Sequence, residues 1–154
     1  MSLIWTISGA GRAVGKTTVA RSIAASLDNS VYCKCGHNPP KPEKPANFFQ
    51  GLDELNDFVD RSKAGYDHIV IESNKFVYTN SSDITIYIDG VKGKTNFRED
   101  APRLRSAADI IVTPESLPSQ WQTFLTSKLT DDKYVPVVTK ILLNQQQWLF
   151  LGDQ

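Results

Sequence analysis

The chain has 154 residues, enough for one well-buried domain and too few for two comfortable ones. Lys+Arg 17 against Asp+Glu 17 gives a formal net charge of +0, which argues against a broad electrostatic attraction to nucleic acid or an anionic membrane. No run approaches the roughly 20 apolar residues of a membrane span, and no basic, cleavable leader precedes the first glycine, so cytoplasmic residence is expected.

In chain order, Leu3 to Ile7 is an apolar, β-rich run, and Ser8-Gly9-Ala10-Gly11-Arg12-Ala13-Val14-Gly15-Lys16-Thr17-Thr18 follows it directly. This fits a strand, a phosphate-cradling loop and a helix start. Ala10 stands where the strict loop pattern has Gly, and it remains small at the strand exit. The spacing has a chemical reason: backbone N–H groups from Gly11 through Thr18 can converge on a phosphate, and the following helix adds its positive end. Gly11, Arg12, Ala13, Val14, Gly15, Lys16, Thr17 and Thr18 are therefore the expected nucleotide-binding residues. Lys16 is expected to reach the β- and γ-phosphates, and the Thr17 hydroxyl to ligate Mg²⁺.

Val19, Ala20, Ile23, Ala24 and Leu27 recur at helical spacing up to Asp28-Asn29-Ser30. Val31 to Cys35 reads as a second strand, ended by Gly36. The proline-rich run from His37 to Pro45 cannot join a helix or a central strand. Cys33, Cys35 and His37 would share one side of an extended strand, but a structural zinc normally needs four ligands, so buried free thiols are the expectation. Asn47 and Gln50 have the spacing of a helix-capping pair, and Phe48, Leu52, Leu55 and Val59 would form its apolar stripe.

His68 to Glu72 is an apolar strand ending in an acid, and Ser73-Asn74 turns out of it. Ile84 to Ile88 is another strand, ending at Asp89-Gly90. A basic loop through Asn96 and Arg98 leads to a short helix, Ala101 to Ala108, and then to a strand from Asp109 to Thr113. Arg98, Arg103 and Arg105 read as a solvated face. Gln120 to Leu129 has helical spacing, and the segment beyond Val135 would add an edge strand and a closing helix. No internal repeat is visible, and residues 1–154 read as a single domain.

Strands alternating with helices predict an α/β fold with a mostly parallel, doubly wound sheet flanked by helices. Ligands in such sheets bind beyond the carboxyl ends of the strands. The phosphate loop, Lys34 and Glu72 all fall at such ends. Glu72 is the expected partner of Thr17 in holding Mg²⁺, and Lys34 has its charge free to reach a γ-phosphate or an acidic substrate. Lys16, Glu72 and Lys34 form the candidate catalytic set.

These segments resemble a branch of the P-loop proteins that includes molybdopterin-guanine dinucleotide biosynthesis protein B, dethiobiotin synthetase and the cobyrinate amidases. The first loop, with its Val-Gly-Lys-Thr ending, is similar, and so is Tyr66-Asp67-His68-Ile69-Val70-Ile71-Glu72. Lys34 is similar to a lysine kept near the γ-phosphate. The Lys34-Cys35-Gly36-His37 corner looks most like the molybdopterin-associated protein, a GTP-binding, weakly hydrolysing accessory of molybdenum cofactor biosynthesis. That resemblance implies GTP or ATP with Mg²⁺ as ligands and a cofactor-biosynthesis protein as partner; the sequence leaves the oligomeric state open, a homodimer included. Only one histidine stands in the corner, Ser-Asn rather than Gly follows Glu72, and no guanine-reading Asn-Lys-x-Asp occurs. An ATP-dependent small-molecule kinase or carboxylate-activating ligase, and a nucleotide-switched adaptor with little turnover, remain as alternatives.

Overall fold

A computed structural model describes residues 2–36 and 47–113. The proline-rich run, His37, and the elements expected beyond Pro114 lie outside these residues. Among the described residues, six strands form one sheet: β1 (Leu3–Gly9), β2 (Ser30–Cys35), β3 (Phe48–Phe49), β4 (His68–Glu72), β5 (Ile84–Ile88) and β6 (Ile110–Val112). Every pairing is parallel, and the order is β3-β2-β4-β1-β5-β6. The helices are α1 (Lys16–Ser26), α2 (Leu52–Ser62) and α3 (Ala101–Ala107).

The alternation of side chains along the strands explains the layering. Trp5 and Ile7 of β1 pack with Val19, Ala20 and Ile23 of α1 and with Ala101 and Leu104 of α3. Ile4 faces the other way, into a second cluster with Cys33, Ile69 and Ile71, closed by Leu55 and Val59 of α2. Helices thus cover both faces, which is why β4 and β5 are buried along their whole length. The mostly parallel, helix-flanked architecture expected from the sequence is present.

Two local expectations differ. Asn47 and Gln50 do not cap a helix: Asn47 enters β3, its carbonyl accepting from Lys34 N at 2.9 Å and its Nδ2 donating to Tyr32 O at 3.1 Å. Helix α2 starts later, with Gly51 in extended backbone as its N-cap, so Phe48 belongs to the strand and only Leu52, Leu55 and Val59 to the helical stripe. After Glu72, the Ser73-Asn74 turn runs into a short 3-10 helix, Lys75–Thr79, which the sequence reading lacked. The hydroxyl of Ser73 starts it by accepting from Phe76 N at 3.1 Å.

Candidate functional site

Register fixes where the polar groups meet. Ile7 pairs with Glu72 across β1 and β4, and Lys34 pairs with Glu72 across β2 and β4. Glu72 therefore sits at the carboxyl end of the central strands, between the loop that leaves β1 and the end of β2. Its carboxylate is buried and surrounded by donors from two elements. Thr17 Oγ1, in the first turn of α1, donates to Oε1 at 2.8 Å, and the Tyr32 hydroxyl donates to the same oxygen at 2.6 Å. The Lys34 ammonium lies 3.6 Å from Oε2. Tyr32 and Lys34 are two residues apart on β2, so one face of that strand supplies both groups.

The loop from Ala10 to Gly15 is shaped by backbone constraints. Gly15 caps α1 at φ 104, a left-handed conformation that glycine adopts without strain. Ala13 is also left-handed, at φ 59, a local strain of the kind found at ligand-binding turns. Among the described residues, the amides from Ala13 to Thr18 meet no hydrogen-bond acceptor. The last three of them belong to the first turn of α1, whose N–H groups have no partner within the helix.

Lys16 extends its stem back over the end of β1: a Cβ at Gly9 would meet Lys16 Cγ and Cδ at 2.8 Å. Burial lowers the pKa of its ammonium; Glu72 opposes that shift, and the charges of Arg98 and Lys34 reinforce it. The ammonium is thus held in a partly desolvated place where a polyanion is its natural partner.

A cavity of about 420 Å³ opens over this cluster, within the range of about 300–1,000 Å³ usual for small-molecule sites. Its walls include Arg12, Ala13, Gly15, Lys16, Thr17, Thr18, Lys34 and Glu72, so most residues expected from the sequence share one space. Gly11 and Val14 are not part of its wall. Val14 is buried in the core, and Gly11 pairs antiparallel with Phe97. A Cβ at Gly11 would collide with the backbone carbonyl of Asn96, so this glycine serves close backbone approach.

Arg98 lines the cavity too, although a basic loop had suggested a solvated face. Its backbone N donates to Ala10 O at 2.7 Å, which brings the loop after β5 against the loop that leaves β1. Nothing local in the sequence signals that pairing. Arg103 and Arg105 do lie away from the cavity, over the Tyr78 ring and 3.4 Å from Asp89 respectively. Ser73, Asn74 and Lys75 complete the wall beyond β4, and Asn74 Oδ1 accepts from Gly9 N at 2.9 Å.

Of the other histidine, thiol and acid groups among the described residues, only Cys35 reaches the cavity. His68 is buried at the start of β4, the opposite end of the strand from Glu72, and accepts from Trp5 Nε1 at 3.2 Å. Cys33 is a buried free thiol whose pKa burial pushes up to about 12. Cys35 is free and mostly buried, at the cavity edge. Asp89 caps its own turn by accepting from Gly90 N at 2.9 Å.

The cation-binding chemistry on offer is one hydroxyl and one carboxylate. Among the described residues no group of three or more His, Cys, Asp or Glu could hold a metal ion. A two-oxygen set suits Mg²⁺, which keeps water and phosphate oxygens for most of its positions, better than a metal needing a full protein cage. No helix among the described residues is long and apolar enough to cross a membrane. No protein-family model matches the chain, and no match is found among curated proteins.

Proposed function

We propose that this chain is a Mg²⁺-dependent nucleoside triphosphatase with a P-loop NTPase fold. One observation carries the reading: Thr17 Oγ1 and Glu72 Oε1 lie 2.8 Å apart inside the cavity that Lys16 also lines. Amides from Ala13 to Thr18 would hold the phosphates, and Lys16 would neutralise charge developing on the β–γ bridge. Thr17 and Glu72 would hold Mg²⁺, whose charge, when bound, offsets that of the phosphate oxygens. Lys34 would leave Glu72 for the γ-phosphate, since its pairing at 3.6 Å is loose and partly exposed.

The proposed biological role is accessory to molybdenum cofactor biosynthesis, with GTP as the nucleotide, a cofactor-biosynthesis protein as partner and a homodimer as the working form. It rests on the likeness of residues 8–19, 34–37 and 66–72 to the molybdopterin-associated protein. Direct binding of GTP, ATP and their diphosphates with Mg²⁺ tests both levels. Guanine preference supports the role; adenine preference removes it and leaves the triphosphatase.

Lys16→Ala should abolish binding or turnover, and unchanged tight triphosphate binding would end the assignment. Glu72→Gln should spare binding and slow hydrolysis about 100-fold. Full Mg²⁺-dependent activity in that variant would remove Glu72 from the site.

A second reading, phosphoryl transfer to a small acceptor, is favoured by the extension of the cavity along Cys35, Gly36, Ser73, Asn74 and Lys75. Phosphate release without any added acceptor supports hydrolysis, and strict acceptor dependence supports transfer.

A further inference from the structure

We propose that Arg98 binds the part of the polyphosphate common to di- and triphosphates, with Asp100 as the residue that positions it. The inference rests on the nucleotide-binding reading above and adds a residue from the opposite flank of the loop.

Three observations place Arg98 there. First, the segment carrying it is fixed to the phosphate loop by backbone. Phe97 pairs with Gly11, Arg98 N donates to Ala10 O at 2.7 Å, and the Asn96 carbonyl fills the space beside Gly11 that any other residue would need. Position 98 is therefore set by the main chain and needs no movement to reach the site.

Second, the guanidinium is oriented. Its Nε lies 2.8 Å from Asp100 Oδ1 and its Nη2 lies 3.4 Å from Oδ2. Asp100 is itself held by the Tyr78 hydroxyl, which donates to Oδ2 at 2.6 Å. A guanidinium has five N–H donors, the Asp100 pairing does not use them all, and Arg98 is part of the cavity wall. The charge of Arg98 acts on the Lys16 ammonium more strongly than that of Lys34 does.

Third, the sheet order puts the two cation groups on opposite sides of β1. Lys34 and Glu72 come from the β2–β4 side, whereas Arg98 comes from the loop after β5. Thr17, Glu72 and Lys34 mark the side taken by the γ-phosphate and Mg²⁺. A polyphosphate running across Lys16 from that side brings its inner phosphates to the Arg98 side. Arg98 and Lys34 should therefore differ in what they distinguish: Lys34 senses the terminal phosphate, and Arg98 does not.

Titration calorimetry of the full chain with GTP, ATP and their diphosphates, each with Mg²⁺, tests this. Arg98→Gln should weaken di- and triphosphate by the same factor, about tenfold. Lys34→Gln should weaken the triphosphate alone. Asp100→Asn should give a smaller loss, equal for both nucleotides, and Arg98→Lys should recover part of the affinity. The Arg98 side chain takes no part in the backbone pairing, so circular dichroism of Arg98→Gln should match the wild type. Wild-type affinity for both nucleotides in Arg98→Gln, or a loss confined to the triphosphate, overturns this assignment alone. Wild-type protein that binds no nucleotide overturns the underlying reading and this assignment with it.

Discussion

Thr17 and Tyr32 donate to the same oxygen, Glu72 Oε1, at 2.8 and 2.6 Å. Burial, and then the neighbouring carboxylate, raises the pKa of the Tyr32 phenol, so it stays a protonated donor throughout the physiological range. Thr17 and Glu72 can both turn toward a cation while Tyr32 keeps the carboxylate from swinging away. Lys34 holds the other oxygen only loosely, at 3.6 Å. In the proposed triphosphatase, Tyr32 would act through Glu72 as a positioning residue.

Tyr32→Phe keeps the ring and its packing but deletes the donor. The expected result is an apparent Mg²⁺ affinity about tenfold weaker in the nucleotide complex, read by Mg²⁺ titration of nucleotide binding and by the Mn²⁺ electron paramagnetic resonance spectrum. Unchanged metal dependence together with an unchanged spectrum would show that Glu72 needs no help from β2.

Lys16 leads to a prediction about stability. Its ammonium has a pKa lowered chiefly by burial, so the folded chain disfavours the charged form. Between that lowered value and the ordinary lysine value the unfolded chain binds more protons, and stability rises with pH across this window. Below it, the buried charge is a standing penalty. Lys16→Met should therefore make the nucleotide-free protein more stable at pH 7, by about 1 kcal/mol, while removing nucleotide binding. It should also flatten the alkaline rise in stability that urea unfolding of the wild type is expected to show. In the wild type, nucleotide affinity should fall as pH rises through the lowered Lys16 pKa. A Lys16→Met protein less stable than wild type at pH 7 contradicts this account of the site.

The parts of the fold readable from sequence are those fixed by local pattern. β4 and β5 are continuous apolar runs because helices cover both faces, and each ends at an acid at or just past its last residue. The loop and α1 carry their own punctuation in Gly15 and in the helical spacing of Val19, Ala20 and Ile23. What escaped depends on partners far along the chain. Asn47 has the spacing of a cap with Gln50, yet β2 claims it through Tyr32 and Lys34, and ladder bonds outweigh a local cap. Arg98 looks like any loop arginine until Ala10 and Gly11 are seen to pair with its segment. Tyr32 reads as a strand aromatic, and only the parallel register with β4 reveals its neighbour.

Gly9 and Gly11 lie two residues apart and guard different things. A Cβ at Gly9 would press on Lys16 Cγ and Cδ and on Val14 Cγ2, all at 2.8 Å, and the lysine stem is the flexible one. A Cβ at Gly11 would meet the Asn96 carbonyl, which belongs to a backbone pairing and has little freedom to move. Gly9→Ala should therefore displace Lys16 and weaken triphosphate binding at least tenfold, with a modest effect on unfolding. Gly11→Ala should behave in the reverse sense. It should cost about 1–3 kcal/mol of stability by prying the loop after β5 from the loop that leaves β1. Hydrogen exchange should then quicken at the Arg98 amide, which donates to Ala10 O in the wild type. If Gly11→Ala unfolds like the wild type and keeps Arg98 protected, the two loops are not joined as the pairing implies.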